Sequence, residues 1–104
     1  MPCFIVEYET SGSGLRSRGD EYREAQAARK AYRASLAGKI ILAGPKFDDP
    51  DEDAISSVVI LEADDREEAS RIASADPYFN IGEFSGFSVN QLGIITFNND
   101  FTAG

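Results

Sequence analysis

The stretch from residue 55 to residue 73 reads I-S-S-V-V-I-L-E-A-D-D-R-E-E-A-S-R-I-A, and its hydrophobic period changes halfway. Ile55 to Ala63 is centred on an apolar run with the length and the β-branched residues of a strand. Asp64 or Asp65 then stands where a helix N-cap is expected, with a glutamate three residues on that completes a capping-box pattern. The stretch therefore predicts a strand that leads directly into a helix.

Three further elements are predicted on the N-terminal side of this stretch. Cys3 to Thr10 alternates as a strand does, and the small residues Ser11 to Gly14 end it in a loop that we expect to be mobile. Asp20 to Ala37 contains no proline or glycine and predicts a helix. Lys39 to Phe47 begins as a strand and breaks at Gly44-Pro45, because proline cannot donate to a ladder. The apolar stripe of the helix comprises Tyr22, Ala25, Ala28, Tyr32 and Leu36.

The C-terminal part of the chain completes the order of elements. Pro77 ends the second helix, and a last extended region runs through Phe87 to Val89 and again through Ile94 to Phe97, before a tail from residue 98 that we expect to be mobile. The order β-α-β-β-α-β is the ferredoxin-like, split βαβ arrangement, an α+β fold with two helices on one face of an antiparallel sheet. Because the other face needs a cover, we expect a homodimer.

Length and composition limit the classes of function. The 104 residues are enough for one domain, and the net charge of −8 would repel a polyphosphate backbone, so a nucleic acid is not expected as a partner. No stretch has the pattern of a secretory signal or the length of a membrane span. The single cysteine, Cys3, cannot form an internal disulfide, and a cytoplasmic location is the expectation.

The chain has no histidine, which removes the most common general base near neutral pH and the most common transition-metal ligand. The acidic run Asp49 to Asp53 resembles the start of a calcium loop, but Ala54 and Ile60 stand where that loop needs glycine and glutamate. Gly12-Ser13-Gly14 follows a strand without the further residues of a nucleotide-binding fingerprint. We expect no metal and no cofactor.

Two features could supply chemistry. One side of the first helix carries polar groups that could present donors to a carboxylate or phosphate, or could be an ordinary solvated face. Asp76 precedes Pro77, which holds it out of helical geometry, so it is either structural or a candidate acid or base. The polar groups of the helix are Arg23, Gln26, Lys30 and Arg33, with Arg16, Arg18 and Arg29 close by in sequence.

Three stretches together resemble the YCII-related family, the YciI-like proteins, over nearly the whole chain. They are Arg23-Glu24-Ala25-Gln26, Leu42-Ala43-Gly44-Pro45, and Ala75-Asp76-Pro77-Tyr78 followed by Gly82. The resemblance implies ferredoxin-like dimers of the dimeric α+β barrel group, with a cleft near the first helix and the Asp-Pro-Tyr turn.

The resemblance also implies a site in which a histidine early in the first helix pairs with the aspartate of the Asp-Pro-Tyr segment. The aspartate matches Asp76, whereas the histidine position falls on Gln26 when one extra residue is allowed before Leu42. Glutamine cannot exchange a proton near pH 7, so the pair is broken. We expect Gln26, Gly44, Pro45, Asp76 and Tyr78 to come together in space.

Two functions stay open at this point, and a purely structural or regulatory subunit is a third. The first is a small-molecule binding or accessory protein that keeps the cleft without the proton-transfer pair. The second is a lyase-like or isomerase-like enzyme in which Asp76 moves a proton on a small acidic or aromatic substrate. In that enzyme, Gln26, Tyr78 or Arg23 would orient the substrate.

Overall fold

The computed structural model describes residues 2–10, 19–49 and 56–102. The predicted order of elements is confirmed. The elements are β1 (Cys3–Thr10), α1 (Asp20–Ser35), β2 (Ile40–Lys46), β3 (Ser56–Glu62), α2 (Arg66–Ser74), a 3₁₀ turn (Pro77–Phe79) and β4 (Phe84–Leu92). The predicted loop at Ser11–Gly14, residues 50–53 of the acidic run and Ile55 lie outside the described residues.

The four strands form one antiparallel sheet in the order β2-β3-β1-β4. At its centre, Val6 of β1 lies opposite Val59 of β3 and Val89 of β4. Both helices cover the same face, because Ala25 of α1 and Ala69 of α2 belong to the same buried cluster as the inward residues of β1. The ferredoxin-like α+β fold predicted from the sequence is therefore confirmed.

The N-terminus of α2 is fixed by a reciprocal cap. Asp65 is the N-cap, and its carboxylate accepts a hydrogen bond of 2.8 Å from the backbone N–H of Glu68. The Glu68 carboxylate in turn accepts from the backbone N–H of Asp64 at 3.2 Å, and this bond, with Lys39 beside it, lowers the pKa of Glu68. Of the two predicted caps, Asp65 is the one used.

Helix α1 differs from its prediction in two respects. It ends at Ser35, two residues earlier than expected. Its predicted apolar stripe is also wrong at Ala28, which is exposed, while the next residue, Arg29, turns inward with only 14% of its side chain exposed. An arginine takes this buried position because a buried carboxylate pairs with it there.

Two tyrosine hydroxyls tie the last turn of α2 to the rest of the domain. Tyr8 of β1 donates to the carbonyl of Ala73 at 3.2 Å, and Tyr32 of α1 donates to the carbonyl of Ile72. Burial, and after it the charge of Asp76, raises the pKa of both hydroxyls, so both stay protonated donors at neutral pH. These bonds hold the chain in place at Ala73 and Ile72, three and four residues before Asp76.

The second half of the predicted last strand is wrong. No strand is formed at Ile94–Phe97, where Ile95 is 98% and Phe97 61% exposed. The segment has a strand-like composition, but no neighbouring strand in the described residues offers it a ladder. Instead it lines a groove of about 310 Å³ together with Leu42 and Ile60 on the sheet face away from the helices.

Neither helix in the described part of the chain has the length and apolar character needed to span a bilayer. Among the same residues, no three His, Cys, Asp or Glu side chains cluster in a way that could hold a metal ion.

Candidate functional site

Asp76 lies at the point where α2 gives way to the 3₁₀ turn. Its backbone is extended, with φ −61° and ψ 127°, as expected for a residue before proline. This geometry lets one carboxylate oxygen, Oδ1, accept a 3.0 Å hydrogen bond from the backbone N–H of Tyr78. The residue is 4% exposed, so its charge needs a partner inside the protein.

Arg29 of α1 is that partner. Its Nε donates to Oδ2 of Asp76 at 3.0 Å, and its Nη2 donates to Oγ of Ser57 at 3.2 Å. The guanidinium carbon also lies 4.5 Å from the centre of the Tyr78 ring and 5.0 Å from that of Phe84, within the range of a cation–π contact. A single partly buried guanidinium thus connects α1, β3, the 3₁₀ turn and β4.

Arg33, one helical turn further along α1, approaches the same serine. Its Nη2 lies 3.5 Å from Oγ of Ser57, a longer contact than the one Arg29 makes. Burial, and after it the neighbouring charge of Arg29, lowers the pKa of the Arg33 guanidinium. Two guanidinium groups therefore converge on one buried hydroxyl.

Arg29, Arg33 and Ser57 form part of the wall of an inner cavity of about 190 Å³ between α1, the start of β3 and the 3₁₀ turn. Aromatic rings and hydroxyl groups line it together with the two guanidinium groups, and Glu83 is its one carboxylate among the described residues. The lining comprises Thr10, Tyr22, Arg29, Arg33, Pro45, Ser56, Ser57, Tyr78, Glu83 and Phe84.

An outer recess of about 370 Å³ adjoins this cavity and shares Arg29, Arg33 and Tyr78 with it. Gln26 and Lys30, both exposed on α1, complete its described lining. The recess is therefore cationic, whereas the inner cavity mixes charge with aromatic surface.

Two tyrosines stand side by side at the inner cavity. The hydroxyl of Tyr78 lies 3.5 Å from that of Tyr22, and their ring centres are 5.8 Å apart. Burial, with the hydrogen bond to Tyr22 as a second cause, raises the pKa of Tyr78 to about 12. Tyr78 is therefore a neutral phenol near pH 7 that does not repel an anion, and its hydroxyl donates to that of Tyr22.

The structure brings some of the predicted site residues together and separates others. Tyr78 lines both spaces, Pro45 lines the inner cavity and Gln26 lines the outer recess. Asp76 lies behind Arg29 and is not part of the described lining of either space.

Gly44 faces Val58 within the β2–β3 pair, and Arg23 is 78% exposed beside Asp20. The roles of all six in binding or catalysis stay predictions.

Three residues at the centre of the site are not among the site residues that the sequence motifs predict. The sequence patterns place Tyr22 only in the apolar stripe of α1 and Arg29 only near its polar groups, and they give Ser57 no role, although all three line the inner cavity. Two of them, Arg29 and Ser57, nevertheless carry a signal in the sequence. Arg29 falls seven residues after Tyr22, on the same side of the helix, and Ser57 is the polar member of a core-facing alternation with Val59 and Leu61.

Two solved structures illustrate what this chain is similar to. The 5-chloro-2-hydroxyhydroquinone dehydrochlorinase (TftG) from Burkholderia phenoliruptrix AC1100, in complex with 2,5-dihydroxybenzoquinone, is 27% identical with a TM-score of 0.68, and the match covers 88% of this chain and 93% of that one. Protein Atu4242 from Agrobacterium tumefaciens shares the fold, at 11% identity and a TM-score of 0.55, over 95% of this chain and 98% of that one. No curated protein sequence matches this chain.

The resemblance noted in the sequence is borne out by the family comparison. The profile of the YCII-related domain matches residues 1–92, which include every described element of the fold. The chain therefore belongs to the YCII-related family.

Proposed function

We propose that this protein binds a small, planar, oxygen-bearing ring in the inner cavity and acts as a binding or accessory protein. The observation that carries the proposal is the cavity itself, in which the rings of Tyr22, Tyr78 and Phe84 stand beside the guanidinium groups of Arg29 and Arg33. Aromatic walls suit a flat apolar ring, and the guanidinium groups suit its oxygen substituents.

The volume of the inner cavity sets the size of the ligand. An engineered protein cavity of about 150 Å³ is large enough to hold benzene. At about 190 Å³, the inner cavity accepts one six-membered ring with small substituents and is too small for two rings. A larger substituent would have to extend into the outer recess beside Gln26 and Lys30.

The similarity to the dehydrochlorinase supports the same class of ligand. The solved structure of that enzyme is a complex with 2,5-dihydroxybenzoquinone, a single six-membered ring that carries four oxygen atoms. A ring of this kind matches both the size and the polarity of the inner cavity here. We therefore infer that the ligand of this protein is a hydroxylated or quinone-like single ring.

The state of Asp76 favours binding over catalysis. Its two carboxylate oxygens are engaged by Arg29 and by the backbone N–H of Tyr78, and Arg29 stands between it and the cavity. We infer that Gln26 occupies the histidine position of the family's site, and a glutamine cannot take up a proton near pH 7. Neither residue of the pair is then free to act as a base.

An enzyme of the lyase or isomerase kind is the second candidate, and the similarity to a dehydrochlorinase is the observation that favours it. In this alternative, Asp76 leaves Arg29 when the substrate binds, and its freed carboxylate takes a proton from the ring. The substrate's own anionic group would replace Asp76 as the partner of Arg29.

We also propose that two copies of the chain form a homodimer through the open face of the sheet. This face carries exposed apolar side chains, among them Leu42 at 49% and Ile95 at 98% exposure, and a groove of about 310 Å³. Contiguous apolar surface of this kind marks interaction sites, and a second copy supplies a matching surface by symmetry.

Four expectations from the sequence concern absence or location and stay predictions. They are the lack of a metal, the lack of a cofactor, the lack of a nucleic-acid partner and the cytoplasmic location.

Binding is tested by thermal unfolding in the presence of 2,5-dihydroxybenzoquinone. At ten times its Kd, a ligand that binds only the folded state adds about 1.4 kcal/mol to stability, so we expect Tm to rise by several degrees. Pro45→Trp should abolish the rise, because the larger side chain fills the cavity. Lys46→Trp is the matched control, since neighbouring strand residues point to opposite faces, and it should keep the rise. An unchanged Tm of the wild type would refute the proposal.

Turnover of any molecule that binds separates the two candidate functions. We expect binding without turnover by the wild type. If Asp76 is instead a general base, the wild type should turn the molecule over, and Asp76→Asn should lower that rate by about a hundredfold or more. Activity that appears only in Gln26→His would support the assignment of the lost histidine position. The assays are run below the Tm of each variant.

The buried ion pair is tested by urea unfolding. We expect Asp76→Asn to lower the free energy of unfolding by about 3 kcal/mol, because the change leaves the buried Arg29 guanidinium without its counter-charge. Asp20→Asn makes the same change in an exposed pair with Arg23 and should have no measurable effect. Equal stability of the two variants would mean that the Asp76 pair does not hold the site together.

The homodimer is tested by light scattering at micromolar concentration. We expect twice the mass of one chain for the wild type. Ile95→Glu should shift the mass toward one chain, because it would bury a charge in the interface. Ala31→Glu places the same charge on an exposed position of α1 and should leave the dimer intact. A wild-type monomer at this concentration would contradict the proposal.

A further inference from the structure

The hydroxyl of Ser57 is a hydrogen-bond donor that has no acceptor among the described residues. Its oxygen faces Nη2 of Arg29 at 3.2 Å and Nη2 of Arg33 at 3.5 Å, and a guanidinium group can only donate. Both contacts therefore use the lone pairs of the serine oxygen and leave its own O–H unused. Ser57 is 6% exposed and lines the inner cavity, and within the described residues its O–H has no acceptor. An acceptor atom of a ligand in the cavity can therefore accept a hydrogen bond from this O–H.

Among the described residues, the charges that line the two spaces do not balance. The charge of Arg29 is neutralised by Asp76, but Arg33 forms no ion pair within the described part of the chain. Of the other charged residues in the described linings, Lys30 lies at the outer recess and Glu83 at the inner cavity, and no ion pair joins Glu83 to Arg33 or to Lys30 among the described residues. Within the described residues, three cations therefore meet two carboxylates, which leaves one net positive charge, and Arg33 is a cation without an ion-pair partner there.

The environment of Arg33 makes this unmatched charge costly. The side chain is half-buried, and its pKa is lowered by burial and by the neighbouring Arg29. A cation that is partly desolvated beside another cation gains most from an anion within hydrogen-bond distance. Tyr78 does not supply that anion, because it stays protonated to about pH 12.

We propose that Arg33 and Ser57 form an oxyanion subsite, and that the ligand ring carries one anionic oxygen group, a carboxylate or an ionised ring hydroxyl. The proposal rests on the proposed function, because it assigns the chemical class of the molecule that enters the inner cavity. Ser57 donates one hydrogen bond to the anionic oxygen, and Arg33 donates a second and supplies the opposite charge. Asp76 takes no direct part and keeps Arg29 in position behind the subsite.

Two pairs of probes of matched shape test the proposal by calorimetry. The first pair is 2,5-dihydroxybenzoate and its neutral amide, 2,5-dihydroxybenzamide. The second pair is 2,5-dihydroxybenzoquinone, which is acidic, and its neutral ether, 2,5-dimethoxybenzoquinone. We expect the wild type to bind the anionic member at least about tenfold more tightly in one pair or both. The pair that shows the preference identifies whether the subsite takes a carboxylate or an ionised hydroxyl.

Variants of the subsite should remove this preference selectively. Arg33→Gln should weaken binding of the anion by about tenfold and leave the neutral partner within about twofold. Ser57→Ala should also weaken binding of the anion, and Ser57→Thr, which retains a hydroxyl, should restore that binding. Arg71→Gln removes one positive charge from an exposed position of α2 and should leave both affinities unchanged.

The outcomes separate this inference from the function on which it rests. If both members of each pair bind equally to the wild type, or if Arg33→Gln weakens both members alike, the oxyanion subsite is refuted while the ring-binding function stands. If none of the four molecules binds to the wild type, the inference and the proposed function fall together.

Discussion

The burial of one guanidinium group, that of Arg29, is the constraint on which the site depends. A charge with 14% of its side chain exposed is stable only with a counter-charge, and Asp76 supplies it at 3.0 Å. Pro77 in turn keeps Asp76 extended, so that its carboxylate faces α1 and also caps the N–H of Tyr78. The tyrosine ring closes the arrangement by lying 4.5 Å from the same guanidinium carbon.

The sequence predicts the fold well because its signals are local. The alternation in β3, the Asp65 cap and the proline after Asp76 each act within a few residues, and together they define the order of elements. The strand predicted at Ile94–Phe97 was wrong because strand formation depends on a contact that is not local in the sequence. A strand needs a partner in space, and composition alone does not supply one.

The site was predictable only in part, because it is made by contacts across the fold. Asp76 and Tyr78 were found through a local motif, and both lie at the centre of the observed cluster. Arg29 and Ser57 are 28 positions apart and meet only when α1 packs on the sheet. The helical period indicates which side of α1 an arginine occupies, but not which strand residue it reaches. Whether Asp76 has a structural or a catalytic role depends on its contact with Arg29, which joins residues far apart in the sequence.

A crystal structure of the protein with 2,5-dihydroxybenzoquinone tests the central claim most directly, namely that this is a binding site whose aspartate is committed to an arginine. We expect the ring in the inner cavity against Tyr78, with one of its oxygens within about 3.2 Å of Oγ of Ser57 and with Asp76 still bonded to Arg29. A structure in which Asp76 has left Arg29 and contacts the ring would contradict this account and favour the enzyme. A ring bound outside the cavity would contradict both functions.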